Sequence, residues 1–436
     1  MIAAYHAREC TCRQTFQFFC ALAPLRETIL LLSLAGTIFS ADSTRAENWD
    51  RFRGPNGAGQ SEAAGIASEW TEADYLWKKS LPGVGHSSPV VWGERVFVTS
   101  GDPTSGEQIV LAFDAKSGEQ LWEKRFASHT YAMHADNSYA TSTPAADADQ
   151  LYVLWLDGDR VTLAALTHDG SEVWRRQIAS LVEQHGFGTS PIVVGDTVCV
   201  ANETSSADRS IVTGVDRTSG DVRWTVQRNP GKTAFATPCV LQSGGRELLV
   251  MSSMGSGVTA YDPATGEIAW QVLEKDLPDR CISSPIMAAG LVFVSCGSGN
   301  NGLHLIALRP GENGEPPAEA YRVKQGVPNI PTPVAADDLL FLWHDRGTVS
   351  CLDAATGEPH WRKRVSGMFH SSPVRIGNRI FGLSKEGEVV VLAAEKEYKL
   401  LARNSLGERC QATPAVADGR IYYRTEASLI CLGSGG

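Results

Sequence analysis

Ala260-Tyr261-Asp262-Pro263-Ala264-Thr265-Gly266-Glu267-Ile268-Ala269-Trp270 is a unit of eleven residues that returns with its Asp, Gly and Trp in register. The copies are Ala112-Phe113-Asp114…Ser117-Gly118…Trp122, Gly214-Val215-Asp216…Ser219-Gly220…Trp224 and Cys351-Leu352-Asp353…Thr356-Gly357…Trp361. A shortened copy, Ala165-Leu166-Thr167…Gly170…Trp174, keeps the step from glycine to tryptophan. Asp and Ser/Thr side chains accept from nearby backbone N–H groups in a tight turn, Gly takes positive φ, and Trp falls in the strand that follows. Each copy therefore reads as a β-hairpin corner with an aromatic anchor.

A second regularity fixes the count. Pro89, Pro144, Pro191, Pro238, Pro285, Pro333, Pro373 and Pro414 each open an apolar run, and the residue before each is Ser or Thr. Successive prolines lie 55, 47, 47, 47, 48, 40 and 41 residues apart, the period of a four-stranded propeller blade. Proline is tolerated where a strand begins, so innermost strands are expected just after these positions. The second strands are expected to include Arg95–Thr99, Gln150–Trp155, Thr197–Ala201, Glu247–Met251, Leu291–Ser295, Leu339–Trp343, Arg379–Leu383 and Arg420–Tyr423.

With these turns the chain resembles the PQQ-like β-propeller repeat family, whose tryptophan-docking motif reads A-x-D-x-x-T-G-x-x-x-W. The family includes quinoprotein alcohol dehydrogenases and the non-enzymatic outer-membrane assembly factor BamB. The resemblance spans residues 75–433 and implies an all-β, eight-bladed propeller of four-stranded antiparallel blades, with Trp77, Trp122, Trp174, Trp224, Trp270 and Trp361 as docking residues. Tyr75-Leu76-Trp77-Lys78-Lys79 is expected to supply the outer strand of the last blade, which otherwise stops after Leu432. Such closure removes open sheet edges and makes a monomer the expected state. Blade five replaces the turn with Arg309–Pro317 and offers Tyr321 for Trp; blade seven offers Tyr398.

Net charge of −10 and the lack of a Lys/Arg cluster interleaved with aromatics argue against nucleic acid as a partner. Residues 28–39 form an uncharged apolar run preceded by Arg8, Arg13 and Arg26, which reads as a signal peptide over residues 1–46. An uncleaved anchor or a start codon placed too far upstream is the alternative. The resulting expectation is a periplasmic or cell-envelope protein, soluble after export, with membrane association left open. Residues 47–74, rich in Gly, Pro and Asn around Trp49–Gly59, read as an irregular arm that packs on the propeller. The cysteines beyond residue 46 show no C-x-x-C spacing and read as small core residues.

In a propeller, the loops entering the innermost strands and the hairpins joining second and third strands share one face around the pore. The entering loops bring His86, His185, Arg280, Asn329, His370 and Gln411 there, and one hairpin brings Trp343, His344, Asp345 and Arg346. These are the candidate ligand-binding residues. No catalytic residue and no metal site is assigned. Gly297-Ser298-Gly299-Asn300-Asn301-Gly302 matches a dinucleotide fingerprint, but a strand follows it where a helix is required, so it reads as a hairpin turn. Asp157-Gly158-Asp159 reads as a turn, since further calcium ligands are missing.

Three functions follow in order of preference. The first is an exported, non-catalytic scaffold binding a protein or cell-envelope component, without cofactor, similar to BamB. The second is a periplasmic PQQ-dependent dehydrogenase for alcohols or sugars, with PQQ and calcium near the pore, Trp155 and Trp343 as platform and Asp345 or Asp157 as base. Against it, the resemblance implies adjacent cysteines beside the cofactor, and this chain has no Cys-Cys pair. The third is a carbohydrate- or peptide-binding surface module.

Overall fold

The computed structural model describes residues 47–433 apart from 230, 274 and 313–314, so the leader assigned to residues 1–46 lies outside the described residues. Eight sheets, each built on four antiparallel strands, follow one another as propeller blades. The innermost strands begin at Val90, Ala145, Ile192, Cys239, Ile286, Val334, Val374 and Ala415, one residue after each proline. The second strands contain the expected segments, from Arg95–Gly101 in blade 1 to Arg420–Arg424 in blade 8. Trp77–Ser80 pairs antiparallel with Ser428–Gly433, with Trp77 opposite Cys431, so the N-terminal strand completes the C-terminal blade. The core is distributed between blades, where strands apolar on both faces are buried.

The repeated turn works as its residues dictate. Asp262 accepts from the N–H groups of Ala264 at 2.9 Å and Thr265 at 3.2 Å, while Gly266 sits at φ +75°. Asp114, Asp216 and Asp353 repeat the pattern, and these hydrogen bonds hold their carboxyls below the usual range. Each docking tryptophan reaches across to the following blade. The indole N–H groups of Trp77, Trp122, Trp174, Trp224 and Trp361 donate to the carbonyls of Ala115, His168, Arg217, Pro263 and Glu395 over 2.9–3.3 Å. A Cβ on Gly118, Gly170, Gly220 or Gly266 would meet the docked ring at 2.5–2.8 Å. The turn glycine is thus required twice, by its φ and by the ring that covers it.

The divergent blades solve the docking differently. Trp270 is buried against blade 5, without an indole hydrogen bond of this kind among the described residues. Tyr321 keeps the contact: its hydroxyl donates to the Ala354 carbonyl at 2.6 Å and its ring covers Gly357. In blade 7, Ala402 stands opposite Val391, where blade 6 places Trp361 opposite Cys351. Tyr398 is not its substitute, because it precedes the outer strand and packs edge-on against Trp361 at 5.2 Å. The missing ring comes from the arm. Trp70 stacks on Phe381 of blade 7 at 6.4 Å and on Tyr423 of blade 8 at 6.0 Å, and its backbone N–H donates to Asn404 Oδ1 at 3.0 Å.

The hydroxyl residues before the prolines link the blades at the pore. The amides of Ser88, Thr143, Thr237, Ser284, Thr332 and Ser372 each donate to the hydroxyl of the corresponding residue one blade on, over 2.9–3.0 Å. A residue before proline is held extended, which leaves its own amide pointing away from the strand ladder and in need of an acceptor. Ser or Thr at the next blade supplies it.

The arm closes one end of the channel. Trp49 bridges Val91, Ala146 donates to the Asp50 carbonyl, Asn56 pairs both ways with Val240, and Gln60–Ser61 adds a parallel strand to blade 7. Arg53 is fully buried and donates to the carbonyls of Pro333 and Pro373 at 2.8 Å, with longer bonds to Gly57, Ala58 and Thr332. Burial pulls its guanidinium down to about 9, still cationic at neutral pH.

Candidate functional site

Closure by the arm converts the channel into a cavity of about 340 Å³. Phe52 and the hydroxyl residues Thr143, Ser190, Thr237, Thr332, Ser372 and Thr413 line it together with the loops that enter the innermost strands. His86, His185, Arg280, Asn329, His370 and Gln411 all line this cavity, although they come from six different loops. The reason is topological: residues at one offset from the blade proline meet around the axis.

Their hydrogen bonds are specific. His370 Nδ1 lies 2.7 Å from Gln411 Oε1, and Gln411 Nε2 lies 3.3 Å from His86 Nε2. Since the amide nitrogen donates and its oxygen accepts, His370 carries hydrogen on Nδ1 and His86 accepts at Nε2. Burial pushes His86 down to about 3, with the neighbouring Arg424 and His370 acting in the same direction. Burial also lowers His370, while its bond to Gln411 opposes that. His185 is lowered by burial and by Arg280, whose Nη2 lies 3.4 Å from His185 Nδ1. The cluster is a set of neutral hydrogen-bonding imidazoles rather than a proton-transfer relay near neutral pH.

His86 is therefore expected to keep neutral-imidazole NMR shifts from pH 8 down to about pH 4. A midpoint above pH 6 would contradict its burial. The sign follows: with the folded value below the ordinary 6.5, the unfolded chain takes up the proton first. His86 thus removes stability progressively as pH falls from 6.5 toward 3.

The hairpin residues do not join the cavity. Trp343 is fully buried between blades, 5.3 Å from Phe369 and against Gly382. Asp345 is also fully buried, and its carboxylate accepts from the amides of Asn329 at 2.7 Å and Ile330 at 3.1 Å, shaping the entering loop from behind. His344 accepts from the Arg346 amide within its own turn, and Arg346 is exposed. Trp155 is buried against Phe126 at 4.9 Å, and Asp157 is held by His129 and Arg160. Neither tryptophan is an exposed platform and neither carboxylate is free to act as base, so the residues proposed to serve PQQ do not fit it. No group of three His, Cys, Asp or Glu side chains suited to a metal occurs among the described residues.

Sequence reasoning missed the segment that crosses the mouth. Residues 127–142, between blades 1 and 2, bring His134, Asp136 and Asn137 to the lining. His134 stacks on His185 at 6.0 Å with the rings 4° apart, and Asn137 Nδ2 donates to the carbonyls of His185 at 2.8 Å and Phe187 at 3.1 Å. Asp136 accepts from Lys385 of blade 7 at 2.5 Å. The signal was present: the step from Pro89 to Pro144 exceeds the next by eight residues. The dinucleotide-like glycines form a hairpin turn, as expected, with Ser298 and Asn301 bonded to each other.

Comparison with known proteins gives the same architecture and a family. BamB from Burkholderia pseudomallei (strain K96243) is 22% identical over 367 residues, covering 81% of this chain and 86% of that protein. BamB from Bordetella pertussis is 23% identical over 415 residues, covering 92% and 94%. Among solved structures, BamB from Moraxella catarrhalis superposes with a TM-score of 0.62 at 16% identity, covering 83% of this chain and 97% of that one. The quinohemoprotein alcohol dehydrogenase from Comamonas testosteroni gives 0.63 at 14%, covering 89% and 81%, so structural likeness alone speaks to fold. The family model described as outer membrane protein assembly factor BamB matches residues 60–138, 106–321 and 313–397, and the chain belongs to that family.

Proposed function

We propose that this protein is an exported, non-catalytic scaffold of the cell envelope that binds a protein component of outer-membrane assembly. The observation that carries the reading is the family match over most of the propeller, with two BamB relatives aligned across most of their own lengths. The physical picture agrees with it. Blades locked by docked tryptophans, a hydroxyl ring and a buried arm form a rigid body, and rigid presentation of loops keeps the entropic cost of binding low. The buried Trp343 and the engaged Asp345 weigh against the dehydrogenase reading. On this reading the protein works in the periplasm as a monomer, soluble after export, and needs no cofactor.

The test is affinity capture from the envelope fraction of the native host with the tagged full chain, after mild crosslinking. Outer-membrane assembly proteins are the expected catch. Recovery of glycans or unrelated surface proteins instead, or dye-linked alcohol oxidation after incubation with PQQ and calcium, would overturn the assignment.

A further inference from the structure

We propose that the axial cavity binds a carboxylate carried on an apolar, ring-sized body. This goes beyond the assembly reading and does not depend on it.

The cavity lining carries one guanidinium without a carboxylate partner, with two more, Arg53 and Arg424, buried behind the lining of an otherwise anionic protein. Arg280 lines the cavity, and its side chain has no carboxylate partner among the described residues; its one side-chain hydrogen bond among them is to the imidazole of His185. Arg53 lies beside Phe52 and is held by backbone carbonyls alone. Arg424 is buried behind Gly85 and His86, and its guanidinium makes one hydrogen bond among the described residues, to the Ser100 hydroxyl. The nearby acids are already engaged. Asp136 is bound to Lys385, Asp345 is turned to the amides of Asn329 and Ile330, and Asp279 is bound to Lys232 at 2.7 Å. Burial pushes His86, His185 and His370 toward the neutral form, in which they donate or accept hydrogen bonds. The chain as a whole carries −10. With Asp136 neutralised by Lys385, the unpaired guanidinium faces a concave, low-dielectric space, which favours an anion there.

The form of the anion follows from the remaining lining. A guanidinium presents a planar fork that matches a carboxylate in two parallel hydrogen bonds. Phe52, Phe235, Ile282 and Ile330 supply apolar wall, suited to a ring or branched side chain rather than to a fully polar anion. A volume of about 340 Å³ holds a small organic acid or the last residue of a peptide, and the two share this chemistry.

Calorimetric titration of the full chain at low salt separates the possibilities. The probes are 3-phenylpropionate, its neutral amide, and the tripeptide Gly-Gly-Phe as free acid and as C-terminal amide. Each acid is expected to bind on the order of ten-fold more tightly than its amide, as for a charge-assisted hydrogen bond. Arg280→Gln is expected to abolish that preference, and Arg280→Lys to keep part of it, with the thermal midpoint unchanged. Binding by the tripeptide acid would identify a chain end as the source, and binding by phenylpropionate alone a small metabolite. Equal binding of acid and amide by the unmodified chain overturns the proposal whatever the variants do. So does retention of the preference in folded Arg280→Gln, or binding of PQQ with none of the four probes.

Discussion

Arg53→Ala is expected to lower the free energy of unfolding by about 3 kcal/mol, read from the guanidinium chloride midpoint, and to do so although it removes an unfavourable buried charge. Two effects oppose each other. Burial alone brings Arg53 down to about 9, so the folded protein holds this charge against a desolvation cost of several kcal/mol, which the substitution relieves. The same substitution strips donors from the carbonyls of Gly57, Ala58, Thr332, Pro333 and Pro373. Each orphaned buried acceptor costs about 1–3 kcal/mol, and the vacated volume adds about 24 cal/mol per Å³ that cannot collapse. Five acceptors and a void outweigh one relieved charge. Arg53→Lys, which keeps the charge but not the fork, is expected to fall between parent and alanine. An alanine variant within about 0.5 kcal/mol of the parent would mean that water replaces the guanidinium and that the arm does not lock blades 6 and 7.

What was legible in the sequence divides along a physical line. Asp262, Gly266 and Trp270 act locally or on the adjacent repeat, so spacing reveals them, and the proline of each blade marks the start of its innermost strand. The same register places His86, His185, Arg280, Asn329, His370 and Gln411 around the axis, because a closed ring makes equal offsets converge. Trp343 and Asp345 failed for reasons of a finer scale. Trp343 pairs with Val349 at the end of a strand buried on both faces, so its side chain enters the gap between blades. Asp345 turns back onto the loop of its own blade. The arm was the least legible part. Periodicity says nothing about where Arg53 or Trp70 lands, since their partners lie about 280 to 350 residues away.

Trp70 allows that long-range placement to be tested by exchange. Trp70→Ala is expected to destabilise the protein by about 3–5 kcal/mol, the range for truncating a buried tryptophan. It should do so because the ring fills the space that the outer strand of blade 7 leaves at Ala402. Elsewhere the docking ring packs on an aromatic of its own blade's second strand, as Trp122 does on Phe97 and Trp361 on Phe341. In blade 7 that second-strand aromatic is Phe381, and Trp70 is the ring stacked on it. The Trp70 indole nitrogen is buried without a partner, which fits its position beside blade 8. That blade takes its outer strand from the N-terminus and so has no turn carbonyl to offer. Ala402→Trp in the parent should overpack the site and cost about 1–3 kcal/mol. In the Trp70→Ala background the same change should instead recover at least half of the lost stability, because the new ring grows from the register position used by Trp361. A substitution harmful alone and restorative in combination is the coupling expected of two rings that compete for one volume. If Ala402→Trp is equally harmful in both backgrounds, Trp70 is a surface clamp and blade 7 closes by other contacts.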